Sequence, residues 1–267
     1  MVLITGDLHA DFSDYRISGN PPFISILRKD DYIIFLGDFG IGFNEETVMH
    51  WLRRKYDCTI LFIRGNHDNP DFLNALPRVE MFGDVVGKLF DNTYELLCSH
   101  MYTICGKKYF VFSGAASIDS DWRKEYEKDT GIKIWWENEV PSFEDYTLAV
   151  KTLEKNDFEF DFFLSHTCTP ELKGSVLNSY KAGFFDITET YIRDLECLIK
   201  ENGGDWEKSF FGHFHIDKLF GKYNCLYKKV VDASTGKYIN STELRKKLNE
   251  EEFLERQGLE RHIKPSD

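Results

Sequence analysis

Five short stretches of this chain set carboxylate, carboxamide or imidazole groups close together: Asp7-Leu8-His9, Gly37-Asp38, Gly65-Asn66-His67-Asp68, Ser165-His166 and Gly212-His213-Phe214-His215. Asp, Asn and His make a mixed oxygen and nitrogen donor set without thiolate. Such a set suits Mn, Fe, Zn, Ni or Co better than Ca, and Mg only at its oxygen-rich end. The candidate ligands are Asp7, His9, Asp38, Asn66, His166, His213 and His215, more than one ion needs. Two ions sharing a bridging carboxylate would use them all. Cations paired roughly 3.5–4 Å apart lower the pKa of a bridging water, clamp phosphate oxygens and stabilise the charge of phosphoryl transfer.

Taken singly, the pieces say little. A lone Gly-Asp or Gly-Asn-His is a common turn, and a lone His beside apolar residues is more often a hydrogen-bonded structural group than a ligand. Their placement carries more weight. Apolar runs rich in β-branched and aromatic residues at Val2 to Thr5, Tyr32 to Leu36, Ile60 to Ile63, Tyr109 to Phe112, Phe160 to Leu164 and Ser209 to Phe211 predict buried strands. The five motifs follow five of these strands, and the carboxyl ends of strands in an open α/β sheet share one rim. Four motifs place a glycine just before the polar group, where the chain must turn sharply or admit a ligand.

Helical patterns lie between the strands. Asn44 caps a predicted helix through Tyr56, and Ser142 with Asp145 resembles a capping box before a helix through Lys155. Asp186 with Glu189 opens another that stops at Gly203-Gly204. A last helix, Ser241 to Gln257, has Leu244, Leu248 and Leu254 as its apolar stripe, with a frayed tail beyond. The alternation indicates an α/β fold.

The ordered series resembles the D-x-H, G-D, G-N-H-[DE], H, G-H-x-H signature of the calcineurin-like metallophosphoesterases, complete and in family order to about residue 215. The resemblance implies a four-layer α/β/β/α sandwich of two mixed sheets flanked by helices. It implies that Asp7, His9 and His215 hold one metal, that Asn66, His166 and His213 hold the other, and that Asp38 bridges them. His67 would not ligate but would face the substrate and protonate or stabilise the leaving-group oxygen. Gly37 to Phe43 lacks the second Asp and the Arg of the protein serine/threonine phosphatases, and Ile41 stands where purple acid phosphatases have a Tyr. The chain looks closer to small prokaryotic or phage metallophosphoesterases.

The expected function is therefore metal-dependent hydrolysis of a phosphate ester, as a phosphatase, with two divalent ions and Mn as the first choice. A phosphodiesterase or nuclease of the same family is the alternative. A noncatalytic scaffold is disfavoured, because His67 and all seven ligands are retained. Substrate contacts are expected from Gly114 to Val140, read as a long excursion between strands. There Arg123 can pair with a phosphate oxygen, while Trp135 or Trp136 stacks on a base or simply covers a core edge.

Composition sets the outer bounds. A chain of 267 residues that is 42% hydrophobic can bury a large core, and without a linker it reads as one domain over 1–240 with a C-terminal helix and tail over 241–267. No export signal or bilayer-length apolar stretch is evident, which predicts a cytoplasmic protein with no membrane partner. Six separated cysteines predict reduced thiols, with Cys168 an inert neighbour of His166. A formal charge of -12 opposes nonspecific binding of nucleic acid. His50, His100 and His262 are read as a helix-surface, a loop and a tail residue; Asp11, Asp14 and Asp68 as turn groups or supports, for instance orienting His67; Arg64 as a packing or pairing group beside the site.

Overall fold

The computed structural model describes residues 1–11, 16, 23–41, 45–53, 56–177 and 183–250. Two sheets form its centre. The first has β1 (Val2–Thr5), β2 (Tyr32–Phe35), β3 (Thr59–Phe62), β4 (Arg78–Met81), β5 (Asp84–Phe90), β6 (Thr93–Leu96), β13 (Val230–Asp232) and β14 (Lys237–Tyr238), in the order β14-β13-β1-β2-β3-β6-β5-β4. The second has β7 (Met101–Ile104), β8 (Lys107–Phe112), β9 (Phe162–Ser165), β10 (Lys208–Phe211), β11 (Lys218–Phe220) and β12 (Tyr223–Cys225), in the order β11-β12-β10-β9-β8-β7. Both are mixed. β1, β2, β3 and β6 run parallel, as do β8, β9, β10 and β12, while the outer strands join antiparallel.

Strand alternation builds the layers. Val2, Ile4, Ile34 and Leu61 point inward to meet Tyr109, Val111, Leu164 and Phe210 of the second sheet in a core between the sheets. Leu3, Ile33, Phe35 and Phe62 point outward, onto α1 (Glu45–Leu52) through Val48 and Trp51, α2 (Pro70–Asn74) through Leu73, and the helical stretch 241–250 through Leu244 and Leu248. On the far side, Phe110, Phe112 and Phe163 pack on Ala149 and Leu153 of α4 (Phe143–Lys155) and on Ile192, Leu195 and Ile199 of α6 (Ile187–Glu201), which follows the short α5 (Pro170–Val176). The result is a four-layer α/β/β/α sandwich. Its central strands carry apolar side chains on both faces because both faces are covered.

The predicted strands are present within about two residues, but among the described residues eight further strands surround them. The capping box of Ser142 and Asp145 forms as expected, and Asp186 caps α6. The first predicted helix is shorter, ending at Leu52, and Asn44 lies outside the described residues, as do Asp14, Leu254 and His262. The excursion after β8 does lie between strands, but it is partly helical. It contains an 11-residue helix, α3 (Ser120–Thr130), closed by Gly131 in the left-handed region, and a 3-10 turn at Glu137–Glu139. Among the described residues, no helix is long and apolar enough to cross a membrane.

Candidate metal centre

The parallel strands end on one rim, and the turns that follow them interlock. A Cβ on Gly65 would collide with Asp38, and one on Gly212 would collide with Asp7, so each glycine leaves space for another motif's carboxylate. Asp68, fully buried, accepts the backbone N–H groups of Gly40 (2.9 Å), Ile41 (3.1 Å) and Gly65 (2.9 Å) and so ties the β2 and β3 turns together. Its described bonds go to backbone rather than to the His67 ring. His9, Asp38, His213 and His215 sit at φ of 52°, 46°, 67° and 54°. Left-handed backbone costs a non-glycine residue about 1–3 kcal/mol and concentrates where function demands it.

All seven candidate ligands are brought together. Asp7 Oδ2 lies 3.2 Å from His215 Nε2 and 3.8 Å from His9 Nε2. On the other side, Asn66 Oδ1 lies 3.0 Å from both His166 Nε2 and His213 Nδ1. Asp38 stands between, with Oδ2 3.6 Å from His9 Nε2 and Oδ1 3.5 Å from His166 Nε2. Asp7, His9, Asp38 and His215 can converge ligand atoms on one point. His166 Nδ1 is 2.6 Å from the Leu36 carbonyl, to which it donates, so Nε2 is the nitrogen turned toward the cluster and available to an ion once deprotonated.

The electrostatics fit a cation. Asp7 and Asp38 are fully buried, and their ion pairs with described residues are all to imidazoles. Burial raises the pKa of both carboxyls, yet the imidazoles outweigh it and hold both below the usual range. Burial likewise opposes charge on His166, but Asp38 and Asp7 push it up to about 10, so a proton sits where two carboxylates draw positive charge. His213 is held down to about 3 by burial and by His166, and keeps a neutral ring. Two buried carboxylates ringed by imidazoles suit a divalent ion, which would take the place of the proton that they draw to His166.

His67 faces the mouth. Its backbone N–H donates to Asp38 Oδ1 at 2.7 Å, and Arg123 Nη2 lies 2.7 Å from its Nε2 and 3.1 Å from its Nδ1. Burial, then Arg123, hold the His67 ring down to about 4, with Asp38 pulling the other way. Arg123, almost fully buried on α3, also pairs with Asp119 at 2.8 Å. These residues line a cavity of about 410 Å³ with Asn66, His213, Ile118 and Phe214 and the buried Lys173–Glu189 pair. Trp135 and Trp136 do not line it. Trp135 donates its Nε1 to Glu139 and carries Lys124 over its ring, and Trp136 is buried. Arg64 pairs with buried Glu95 at 2.7 Å, His50 is exposed, and His100 sits between strands against Asp84. The cysteines are free, and burial pushes the Cys168 thiol well up.

Three supports were not visible in the sequence. Buried Arg16 donates to the carbonyls of Gly6 (3.1 Å), Asp7 (2.7 Å) and Tyr227 (2.7 Å) and so clamps the first motif. Tyr227 stacks on His215 at 4.6 Å. Ser117, itself bound to Glu139, accepts from Asn66 Nδ2 at 3.0 Å. Local spacing carries no signal for contacts across more than two hundred residues, as between Arg16 and Tyr227.

Fold and site together define an α/β/β/α protein with a histidine and carboxylate cluster built for metal. The calcineurin-like phosphoesterase family profile matches residues 1–217, and the chain belongs to that family of metal-dependent phosphoester hydrolases. No curated protein sequence matches it. Among solved structures, the phosphopantetheinyl hydrolase of Mycobacterium tuberculosis is similar at 14% identity and a TM-score of 0.34, over 85% of this chain and 87% of that one.

Proposed function

We propose that the chain is a phosphatase that hydrolyses a small phosphate ester with two divalent cations, Mn foremost. Asp7, His9 and His215 would hold one, Asn66, His166 and His213 the other, and Asp38 both. The observation that carries this reading is the position of Asp38, whose two oxygens face opposite ligand groups. Bound there, the cations supply an activated water and neutralise phosphate charge. Imidazole at both sites favours Mn over Mg, which prefers oxygen and water.

The protein's own groups do the rest. Arg123 and His67 stand side by side at the mouth. A phosphate dianion entering the cavity adds negative charge there, draws the guanidinium toward its oxygens and raises the proton affinity of His67. His67 then donates to the leaving-group oxygen. The cavity suits a small monoester, and the net charge of -12 disfavours polymeric nucleic acid.

The test is turnover of p-nitrophenyl phosphate and its bis ester by metal-stripped protein, before and after Mn or Mg is returned. Recovery is expected with Mn above Mg, and on the monoester above the diester. Full activity in excess chelator would refute the metal reading; preference for the diester would make the protein a phosphodiesterase.

A further inference from the structure

Asn66 differs from the other candidate ligands in one respect. Its amide has two ends of nearly equal size, an oxygen that can ligate and a nitrogen that cannot. The oxygen faces the cluster, 3.0 Å from His166 Nε2 and from His213 Nδ1, and Nδ2 turns away to Ser117 Oγ at 3.0 Å. What holds that orientation lies one residue further out. The Ser117 hydroxyl donates to Glu139 Oε2 at 2.7 Å, which leaves its lone pairs for Asn66. Glu139 Oε1 accepts the Ser117 backbone N–H at 2.6 Å and the Trp135 indole N–H at 3.1 Å. Above about pH 7 the Glu139 carboxyl is ionised and only accepts, so the donors run one way, from Asn66 to Ser117 to Glu139. All three residues are buried.

We propose that Ser117 and Glu139 are positioning residues that lock the Asn66 amide with its oxygen toward the second cation, and that Gly114 to Val140 clamps this ligand. The proposal rests on the reading that Asn66 ligates metal. A reversed amide would set N–H groups among the imidazoles and remove a ligand. Donation from Nδ2 also polarises the amide and makes Oδ1 a stronger donor to the ion. The chain is short and closed, because the Glu139 carbonyl in turn accepts the Ala115 N–H at 3.3 Å, fastening the two ends of the excursion to each other. Trp135 thereby acquires a task away from the cavity, holding the carboxylate that holds the serine.

The test is Mn(II) titration of the metal-stripped full chain, as wild type, Ser117→Ala, Ser117→Thr and Glu139→Gln. NMR of the Asn66 side-chain amide in the metal-free proteins accompanies it. Wild type should bind two ions. Ser117→Ala should weaken one of them by about 10–100-fold, the usual loss of an outer-shell partner, and leave the other unchanged. Ser117→Thr, which keeps the hydroxyl, should restore binding to near wild type. Glu139→Gln presents an N–H to Ser117, turns the hydroxyl toward Asn66 and should weaken the same ion. Asn66 amide protons, protected in the wild type, should exchange rapidly in Ser117→Ala. Ser117→Ala binding both ions as the wild type does would overturn the proposal, as would equal weakening of both with a matching fall in metal-free Tm. A wild type that binds fewer than two ions would instead sink the two-metal reading and this proposal with it.

Discussion

The two halves of the candidate metal centre are built differently. On the Asn66 side, Asn66 and His166 are buried and each is fixed by a hydrogen bond on the face away from the cluster, to Ser117 and to the Leu36 carbonyl. On the Asp7 side the carboxylate is buried, but His9 and His215 are 26% and 48% exposed and lean on each other, Nε2 to Nε2 at 2.8 Å. Their described outside supports are ring contacts, Tyr227 stacked on His215 and His67 edge-on to His9. A buried, hydrogen-bonded site loses its ion slowly, and a rim site exchanges it. The difference teaches that, with the proposed pair bound, the ion beside Asn66 would be held inside the fold and the ion beside Asp7 would face solvent and substrate.

The largest effect should come from erasing the distinction. Asp38→Asn keeps the size but removes the charge both halves share, so bound metal should fall at both sites and activity should collapse by several orders of magnitude. Metal analysis and turnover check this together; near-normal values in both would mean the bridge lies elsewhere.

His67→Gln should leave both halves loaded while lowering turnover, by roughly 10²–10⁴-fold on alkyl esters, the worth of general acid assistance. The loss should be smaller on p-nitrophenyl esters, whose leaving group departs as an anion. His213→Gln should instead deplete the buried half and slow both substrates alike. Metal missing from the His67 variant, with equal losses on both esters, would make His67 a ligand.

The rim half can be weakened alone. Tyr227→Ala removes the stack on His215 and should lower affinity for the exposed ion by about 10-fold, with the buried ion unaffected. Equal loss at both would show that the halves are not separable.

The smallest effect is a pH dependence on the buried side. Burial raises the Glu139 carboxyl from 4.5 to about 7, against the hydrogen bonds from Ser117. The folded protein thus binds this proton more tightly than the unfolded chain does. Its contribution to stability is greatest below about pH 4.5 and is lost as pH rises to about 7. Denaturant unfolding of metal-free protein should show that decline, flattened in Glu139→Gln; an unchanged profile would exclude Glu139 as its source.

How far the sequence could be read follows the same division. Central parallel strands such as β2 and β3 are covered on both faces, so they stand out as unbroken apolar runs, and the polar residues just after them mark the rim. Edge strands such as β4, with its half-exposed Arg78-Val79-Glu80-Met81, lack that contrast and went unread. Helix α3 was missed because its residues are strongly polar, with only Arg123 fully buried, which hides any apolar stripe. The ligands were legible by chemical type, whereas Arg16, Tyr227 and the link from Ser117 to Glu139 depend on chain-distant or loop contacts with no local period.

The most direct test of a shared carboxylate between unequal halves is electron paramagnetic resonance during Mn(II) titration of the metal-stripped protein. The first equivalent should give an isolated Mn(II) signal from the buried half, and the second should replace it with an exchange-coupled pair. Saturation at one ion, or two ions that remain uncoupled, would contradict the account.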